Sequence, residues 1–586
     1  MVDLKAKPYY LADEDIKWIE DTIAGMTDEE KVGQLFFQLT SSHDEEHLKT
    51  LMEKYHLGGC RYNPAPGVAI QEQNRKLQKY AKVPVFIACN TEMGGDGACA
   101  DGTVIGSGIK IGATGNKEYA YQLGKMANEE AAAIGCNMAF APVCDIAYNW
   151  QNTEIIGRAF GNDPVRVADM SVEYLKGAHT IDGFACAAKH FPGNGLDFRD
   201  AHISNNVNDM DVEQWDASYG HVYKSLIDND LDAIMGGHIL MPKYAKSINP
   251  DLQDDDMMPA TLSPEIMTTL LRDKLGFNGM VVTDASHMVG MTNRMKRCEM
   301  LPLSINAGCD MFLFFNDPDE DFATMLNAYK NGIISEERMV EALTRILGLK
   351  AHLGLHKKAK EELVPQPDVL ASILGKEEYK EMQKAISKDA ITLVKYKDVL
   401  PITPERYKRI MIVHVKGAGG AMDELMKAMG YGGGNPAEML KEKLCAKGFE
   451  AFIYESPIDK MKKQIAAGQK PDINLYFAGK NAIADFTKDM DLVITLCNVQ
   501  NGRPSFGVSK GGGEIPWYVF ELPVVVVGCG APTMLADIPM ARTYINTYDN
   551  KESSMDALVE KLLAGEEAFT AKDPIDSFCG LFDARL

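Results

Sequence analysis

No stretch of this chain approaches the ~18 consecutive apolar residues that a membrane-spanning helix needs, and the opening MVDLKAKPYYLADEDIKWIED has no apolar h-region. The start soon turns acidic and amphipathic, which predicts no secretory signal. No C-x-x-C pair occurs among the 12 cysteines, so neither a zinc ribbon nor a dithiol redox site is indicated. Cys144, Cys186, Cys497 and Cys529 stand inside apolar, strand-like runs. That placement predicts buried free thiols in a reducing compartment, the cytoplasm. Basic charge is scarce: 61 Lys and Arg stand against 83 Asp and Glu, a formal net charge of -22. A surface this acidic repels phosphate backbones and anionic lipid, which argues against nucleic-acid and membrane partners.

What is present is an ordinary soluble composition, 46% hydrophobic and 25% charged. At 586 residues the chain exceeds what one core usually organises, so more than one domain is expected. Apolar runs of strand length alternate with amphipathic segments of helix length through the first 350 or so residues. The strand candidates are 32–39, 58–62, 83–90, 137–146, 184–191, 233–239, 279–284 and 311–315. Helical patterns such as 117–133, 164–179, 212–228 and 264–275 lie between them. Eight β/α units predict an N-terminal (β/α)₈ TIM-like barrel over 1–355. Ser335 is a candidate N-cap for a closing helix. The charged, proline-bearing stretch 356–372 reads as a linker. From 373 to 586 a second α/β pattern predicts an open α/β sandwich, possible as a flavodoxin-like sheet. No short-period repeat is visible.

Polar residues gather at the C-terminal ends of the barrel runs: Asn90 and Glu92, Asp145, Lys189 and His190, His238, and Asp284. That end of a (β/α)₈ barrel is its catalytic face. One such residue is an ordinary strand end entering a loop; several in register are a candidate site. The most informative segment is Lys189-His190-Phe191-Pro192-Gly193-Asn194-Gly195, followed by Asp200-Ala201-His202. A strand delivers Lys189 and His190, a Pro-Gly-Asn-Gly turn reverses the chain, and an acid then precedes a second histidine by two residues. This spacing lets Asp200 hold one ring nitrogen of His202 and leave the other for substrate. A histidine so oriented, with an ordinary pKa near ~6.5, exchanges protons near neutrality. Alone, D-x-H in a surface loop carries little information; attached to the KHFPGNG turn it carries much more.

The stretch resembles family 3 glycoside hydrolases, in particular their β-N-acetylglucosaminidase branch with K-H-F-P-G-[HN]-G-x-x-x-x-D-[ST]-H, departing from it only at Ala201. The run ending Val281-Val282-Thr283-Asp284 is similar to the strand that ends in the family's nucleophilic aspartate. Ile156-Gly157-Arg158-Ala159-Phe160-Gly161 is similar to the loop whose arginine holds the −1 sugar. The resemblance covers about residues 30–355 and, more loosely, 390–395. It implies a retaining β-N-acetylhexosaminidase with Asp284 as nucleophile, His202 as acid/base and Asp200 as its orienting partner. Lys189, His190, Arg158, Asn90 and His238 are the implied sugar-binding residues. His190 and His238 are equally readable as satisfied histidines at the edge of the core, and Asp284 as the N-cap of a following helix. The family commonly carries Asp-x-Glu-Gly-Gly-Arg where this chain has Asn90-Thr91-Glu92-Met93-Gly94-Gly95-Asp96. An uncharged amide thus replaces an acid, which opens the question of sugar specificity. Glu92 either assists there or pairs with a barrel lysine.

The glycine-rich stretches 416–420 and 509–513 fit neither phosphate-binding pattern and read as loops; segment 501–505 is a candidate to reach an active site. No metal-ligand spacing is evident, and neither cofactor nor metal is expected. The expected partner is a small carbohydrate, with the chain a monomer or homodimer. Phosphorolysis by the same site is the nearest alternative, because a histidine acid/base does not repel phosphate as a glutamate does. A glycosidase of other sugar specificity is next, and a non-catalytic carbohydrate-binding barrel is the alternative from another class. A phosphate-binding aldolase lacks an identifiable Schiff-base lysine.

Overall fold

The computed structural model describes residues 2–40, 42–63, 65–417, 434–473, 483–500, 503–506 and 513–586. Residues 418–420 and 509–512 of the glycine-rich stretches, and Asn501 and Gly502, lie outside them. The chain forms two compact units: Met1–Gly108 with Asn116–Met382, and Ile109–Gly115 with Gln383–Leu586. Among the described residues no helix is long and apolar enough to cross a membrane.

The first unit is a closed barrel of eight parallel strands. They are β1 (Phe36–Thr40), β2 (Gly59–Tyr62), β3 (Phe86–Cys89), β4 (Met138–Ala139), β5 (Ala185–Phe191), β6 (Ala233–Gly236), β7 (Met280–Ala285) and β8 (Met311–Leu313). Each pairs with its neighbours in sequence, and β8 closes on β1. Strands covered on both faces read as continuous apolar runs, which is why the pattern was visible. Inside, Phe37, Phe86 and Phe140 form one layer, with ring centroids 6.3 Å (Phe37–Phe86) and 5.4 Å (Phe37–Phe140) apart. Gly59 makes room for it: a Cβ there would sit 2.5 Å from the Phe37 ring. Arg61, two residues further along β2, shares the inward face of Gly59 and lies in register with Ala88 of β3.

Two runs differ from the sequence reading. The expected strand 32–39 is half helix: Asp28–Gln34 is helical, closed by a reciprocal Thr27–Glu30 capping box, and β1 starts only at Phe36. The expected strand 137–146 pairs as a strand only over Met138–Ala139; Pro142 has no N–H, and beyond it a single bridge joins Val143 to Lys189. Helix Glu336–His352 is capped by Ser335, whose hydroxyl accepts from the Arg338 amide at 3.2 Å. Segment 356–372 runs along the barrel unit, with Arg75 donating to the carbonyls of Val364 and Pro365.

The second unit holds β9 (Thr392–Lys395), β10 (Arg409–Gly417), β11 (Glu450–Ile453), β12 (Leu492–Asn498), β13 (Val524–Gly528) and β14 (Tyr544–Asn546). Their order is β11-β10-β12-β13-β14-β9, parallel except for β9, and a short seventh strand, Pro504–Ser505 of segment 501–505, pairs antiparallel with the end of β10. Leaving β9 aside, this is the 2-1-3-4-5 order of flavodoxin-like sheets. Alternate residues feed two cores: Ile410, Ile412, Leu492 and Ile494 on one face, Met411, Val413 and Val493 on the other.

Candidate active site

The strand ends named from the sequence converge on the barrel mouth. Glu92, just past β3, accepts from Arg158 through Nε and Nη2, both at 2.8 Å, and meets Lys189 Nζ of β5 at 2.5 Å. Burial alone would raise the Glu92 pKa, but Arg158 and Lys189 outweigh it and hold the carboxylate well below its usual range. Lys189 is shifted down, chiefly by its own burial against the opposing pull of Glu92. These two cations are therefore fixed in place by an acid rather than left mobile. Asp145 grips the next residue of β5: its Oδ2 accepts from His190 Nδ1 at 2.7 Å, and its Oδ1 from the His190 and Asn194 amides. That leaves His190 Nε2 directed towards Asp284 Oδ2, 3.9 Å away.

Asp284 lies near the end of β7. Its Oδ1 accepts from the Ala285 amide at 2.7 Å, and its Oδ2 receives no hydrogen bond from a described residue. Burial raises its pKa, yet His190, His238, the Ala285 N–H and Lys189 together outweigh this, so the carboxylate stays ionised. His238 behaves differently. Nδ1 accepts from the Thr261 hydroxyl at 2.8 Å and Nε2 donates to the Ala285 carbonyl at 3.1 Å. Burial depresses its pKa, so a neutral His238 props the backbone beside Asp284. Asn90 shares the inward face of Ala88, and its side chain bonds to no described residue.

Asp200 and His202 sit on the loop after β5. His202 Nδ1 donates to Asp200 Oδ1 at 2.7 Å, and the same oxygen accepts the His202 amide at 2.8 Å. The bond to Asp200 raises the His202 pKa above the ordinary value, against the opposing effect of burial. The His202 side chain is 53% exposed, with Nε2 free of described partners. Backbone bonds fasten this loop to the segment following Asp284: the Val289 amide donates to His202 O at 3.2 Å and the Gly290 amide to Ala201 O at 2.9 Å.

Known proteins resemble this chain in sequence and in fold. Residues 27–349 match the model of the glycosyl hydrolase family 3 N-terminal domain. The chain belongs to glycoside hydrolase family 3. It is 35% identical, over the full length of both proteins, to a β-N-acetylglucosaminidase/β-glucosidase of Cellulomonas fimi. A solved β-glucoside phosphorylase, BglX, superposes with a TM-score of 0.88 at 32% identity, covering 99% of each chain. A family 3 β-N-acetylglucosaminidase from Paenibacillus sp. str. FPU-7 shares the fold at TM-score 0.75 and 23% identity, over 95% of this chain and 100% of that one. The protein is thus a glycosidase of this family.

Two family 3 mouth residues escaped the sequence reading. Arg61 projects inward from β2 within electrostatic reach of Glu92 and Asp284; burial lowers its pKa, and its guanidinium has no partner among the described residues. Alternation along 58–62 would have flagged it, since inward Gly59 predicts inward Arg61. Glu154 sits four residues before Arg158, where nothing local marks it. Asn194 Nδ2 donates to its Oε2 at 2.9 Å, and burial raises its pKa. One oxygen of Glu154, one of Asp200 and one ring nitrogen of His202 lie within 4.8 Å of one another. These are the one trio among the described residues spaced for a cation. Within it Asp200 is hydrogen-bonded by His202 and Glu154 by Asn194.

Proposed function

We propose that this family 3 enzyme is a retaining, exo-acting β-glycosidase that removes terminal β-linked N-acetylglucosamine through a covalent glycosyl-enzyme. Asp284 attacks the anomeric carbon while His202, oriented by Asp200, protonates the departing oxygen; His202 then takes the proton of the incoming acceptor. The observation that carries this reading is the double backbone tie between Val289–Gly290 and Ala201–His202. It keeps an ionised, half-free carboxylate and a half-free imidazole at one mouth, one buried and one open. Arg158, Lys189 and His190, held by Glu92 and Asp145, supply donors of fixed position for sugar hydroxyls, so that binding energy goes into orientation. The dual name of the full-length Cellulomonas fimi relative supports glucose as a second sugar, and the uncharged Asn90 suits a tolerant pocket.

A second reading, phosphorolysis, is favoured by two observations. The acid/base is a histidine, and BglX, the phosphorylase, aligns end to end with this chain. Twelve free cysteines, ten of them buried, fit a reducing cytoplasm. The deciding assay follows 4-nitrophenol release from the N-acetyl-β-D-glucosaminide and the β-D-glucoside, with and without phosphate. Release from the N-acetyl sugar, faster than from the glucoside, is the expected result. Sugar 1-phosphate as the main product would make the enzyme a phosphorylase, and silence from folded protein on both substrates would remove the reading.

A further inference from the structure

A histidine acid/base spares an incoming phosphate the repulsion of a carboxylate, yet this mouth holds a carboxylate beside the histidine all the same. Glu154 enters from the loop after β4, its amide held by Asn152 Oδ1 at 3.0 Å and its Oε2 by Asn194 at 2.9 Å. Its side chain is 7% exposed. Arg158 Nη1, the one guanidinium nitrogen not bonded to Glu92, stands 3.7 Å from Glu154 Oε1. The other titratable groups within electrostatic reach of it are Asp200 and His202 from the dyad loop, His190 from β5 and Asp284 from β7.

We propose that Glu154 selects the acceptor in the second step, admitting phosphate when its carboxyl is protonated and favouring water when it is ionised. The inference rests on the double-displacement reading above. In that step the ester bond from Asp284 to the anomeric carbon breaks and its electron pair returns to the carboxylate. A bond forms from the anomeric carbon to an oxygen of water or hydrogen phosphate, and the acceptor's proton passes to His202. The acceptor must therefore approach His202, and one oxygen of Glu154 lies within 4.8 Å of a ring nitrogen there. Like charges brought together in a largely buried site repel far more strongly than in water. An ionised Glu154 thus weighs heavily against a phosphate dianion and hardly at all against water. A protonated Glu154 also offers the anion a hydrogen bond. Burial favours the protonated form, so the change of acceptor comes at higher pH than an ordinary glutamate would give.

The test is the partition between sugar 1-phosphate and free sugar from one aryl glycoside at fixed phosphate, measured across about pH 5.5 to 8.5. In the wild type the phosphate share is expected to fall about tenfold or more as pH rises. Glu154→Gln, which keeps an oxygen for Asn194, is expected to hold that share high and nearly flat. Phosphate's own ionisation is common to both proteins and cancels in the comparison. Parallel partition curves overturn the proposal, and so does a wild-type share that does not fall with pH, which needs no variant at all. Aryl release that survives Asp284→Ala overturns the double-displacement reading, and absence of release in the wild type overturns both. Asp284-dependent release with parallel curves overturns the role of Glu154 alone.

Discussion

The two ends of the barrel each bury a network of opposite charges, and they differ in where bonding capacity is left over: at the strand-start end it is the Nε atoms of Arg272 and Arg345, shut in by their surroundings, and at the strand-exit end it is groups around the mouth. At the strand-start end Asp310, fully buried just before β8, receives Arg272 Nη2 at 2.9 Å, Arg338 Nη2 at 2.8 Å, Arg345 Nη1 at 3.3 Å and the Val281 amide at 2.9 Å. The same arginines cap the carbonyls of Phe277, Gly279, Ile305 and Cys309, which ties loops and helices to the sheet. At the strand-exit end Glu92 plays the part of Asp310, fixing Arg158 and Lys189. Around it, however, Asp284 Oδ2, His202 Nε2, the Asn90 side-chain amide and the Arg61 guanidinium have no hydrogen-bond partner among the described residues. Buried charge therefore does not mark the site. Convergent groups with unused donors and acceptors do, because an enzyme must keep them for a transition state.

This contrast can be broken most sharply at Asp284. Asp284→Ala should lower aryl glycoside turnover by about 10⁴-fold or more. Its melting temperature should be unchanged or raised, since the deleted carboxylate serves substrate rather than fold. Retained turnover would move the nucleophile elsewhere. Next in size is His202→Ala. Substrates with alkyl leaving groups should lose about 10²- to 10⁴-fold, the usual weight of general acid catalysis. Aryl substrates, which need little protonation, should lose far less unless the second step limits. Equal losses in single-turnover glycosylation would remove the acid role.

Much of this was legible beforehand, and the exceptions have physical causes. Alternating apolar runs gave the barrel, because parallel strands buried on both faces must be apolar. The dyad spacing gave the Asp200–His202 bond, because two residues suffice to close it. Glu154 was invisible because its meaning comes from Asn194 and His202, forty and forty-eight positions away. The fused reading of 32–39 arose because Val32 and Leu35 are apolar whether they end a helix or begin a strand. The Thr27–Glu30 cap was the available signal and outweighs hydrophobicity there. Whether Glu92 is a helper or the partner of a lysine is decided only by the fold, since Lys189 and Arg158 come from other strands and loops.

The remaining tests act on the strand-start end, where stability rather than turnover should respond. Asp310→Asn leaves Arg272 without its counter-charge, while Arg338 and Arg345 keep Glu341, and should cost about 3 kcal/mol, the scale for breaking a buried ion network. Activity per folded molecule should stay within about twofold; a large kinetic loss would mean that this end also shapes the mouth. Lys350 is the smaller and subtler case. Its Nζ is fully buried, donates to Gln34 Oε1 at 2.7 Å, faces the Phe86 ring and has no carboxylate beside it. Burial therefore brings its pKa down to about 7, against about 10.4 for the unfolded chain. Between those values the unfolded state binds the extra proton, so stability should rise with pH from about 7 towards about 10. Lys350→Met, which keeps the volume and removes the amine, should flatten that slope in urea titrations at several pH values. At pH 7 and below it should add about 1–2 kcal/mol, less the hydrogen bond that Gln34 loses. A slope that survives the substitution would assign the proton uptake to another group and leave Lys350 a charged residue that the barrel tolerates.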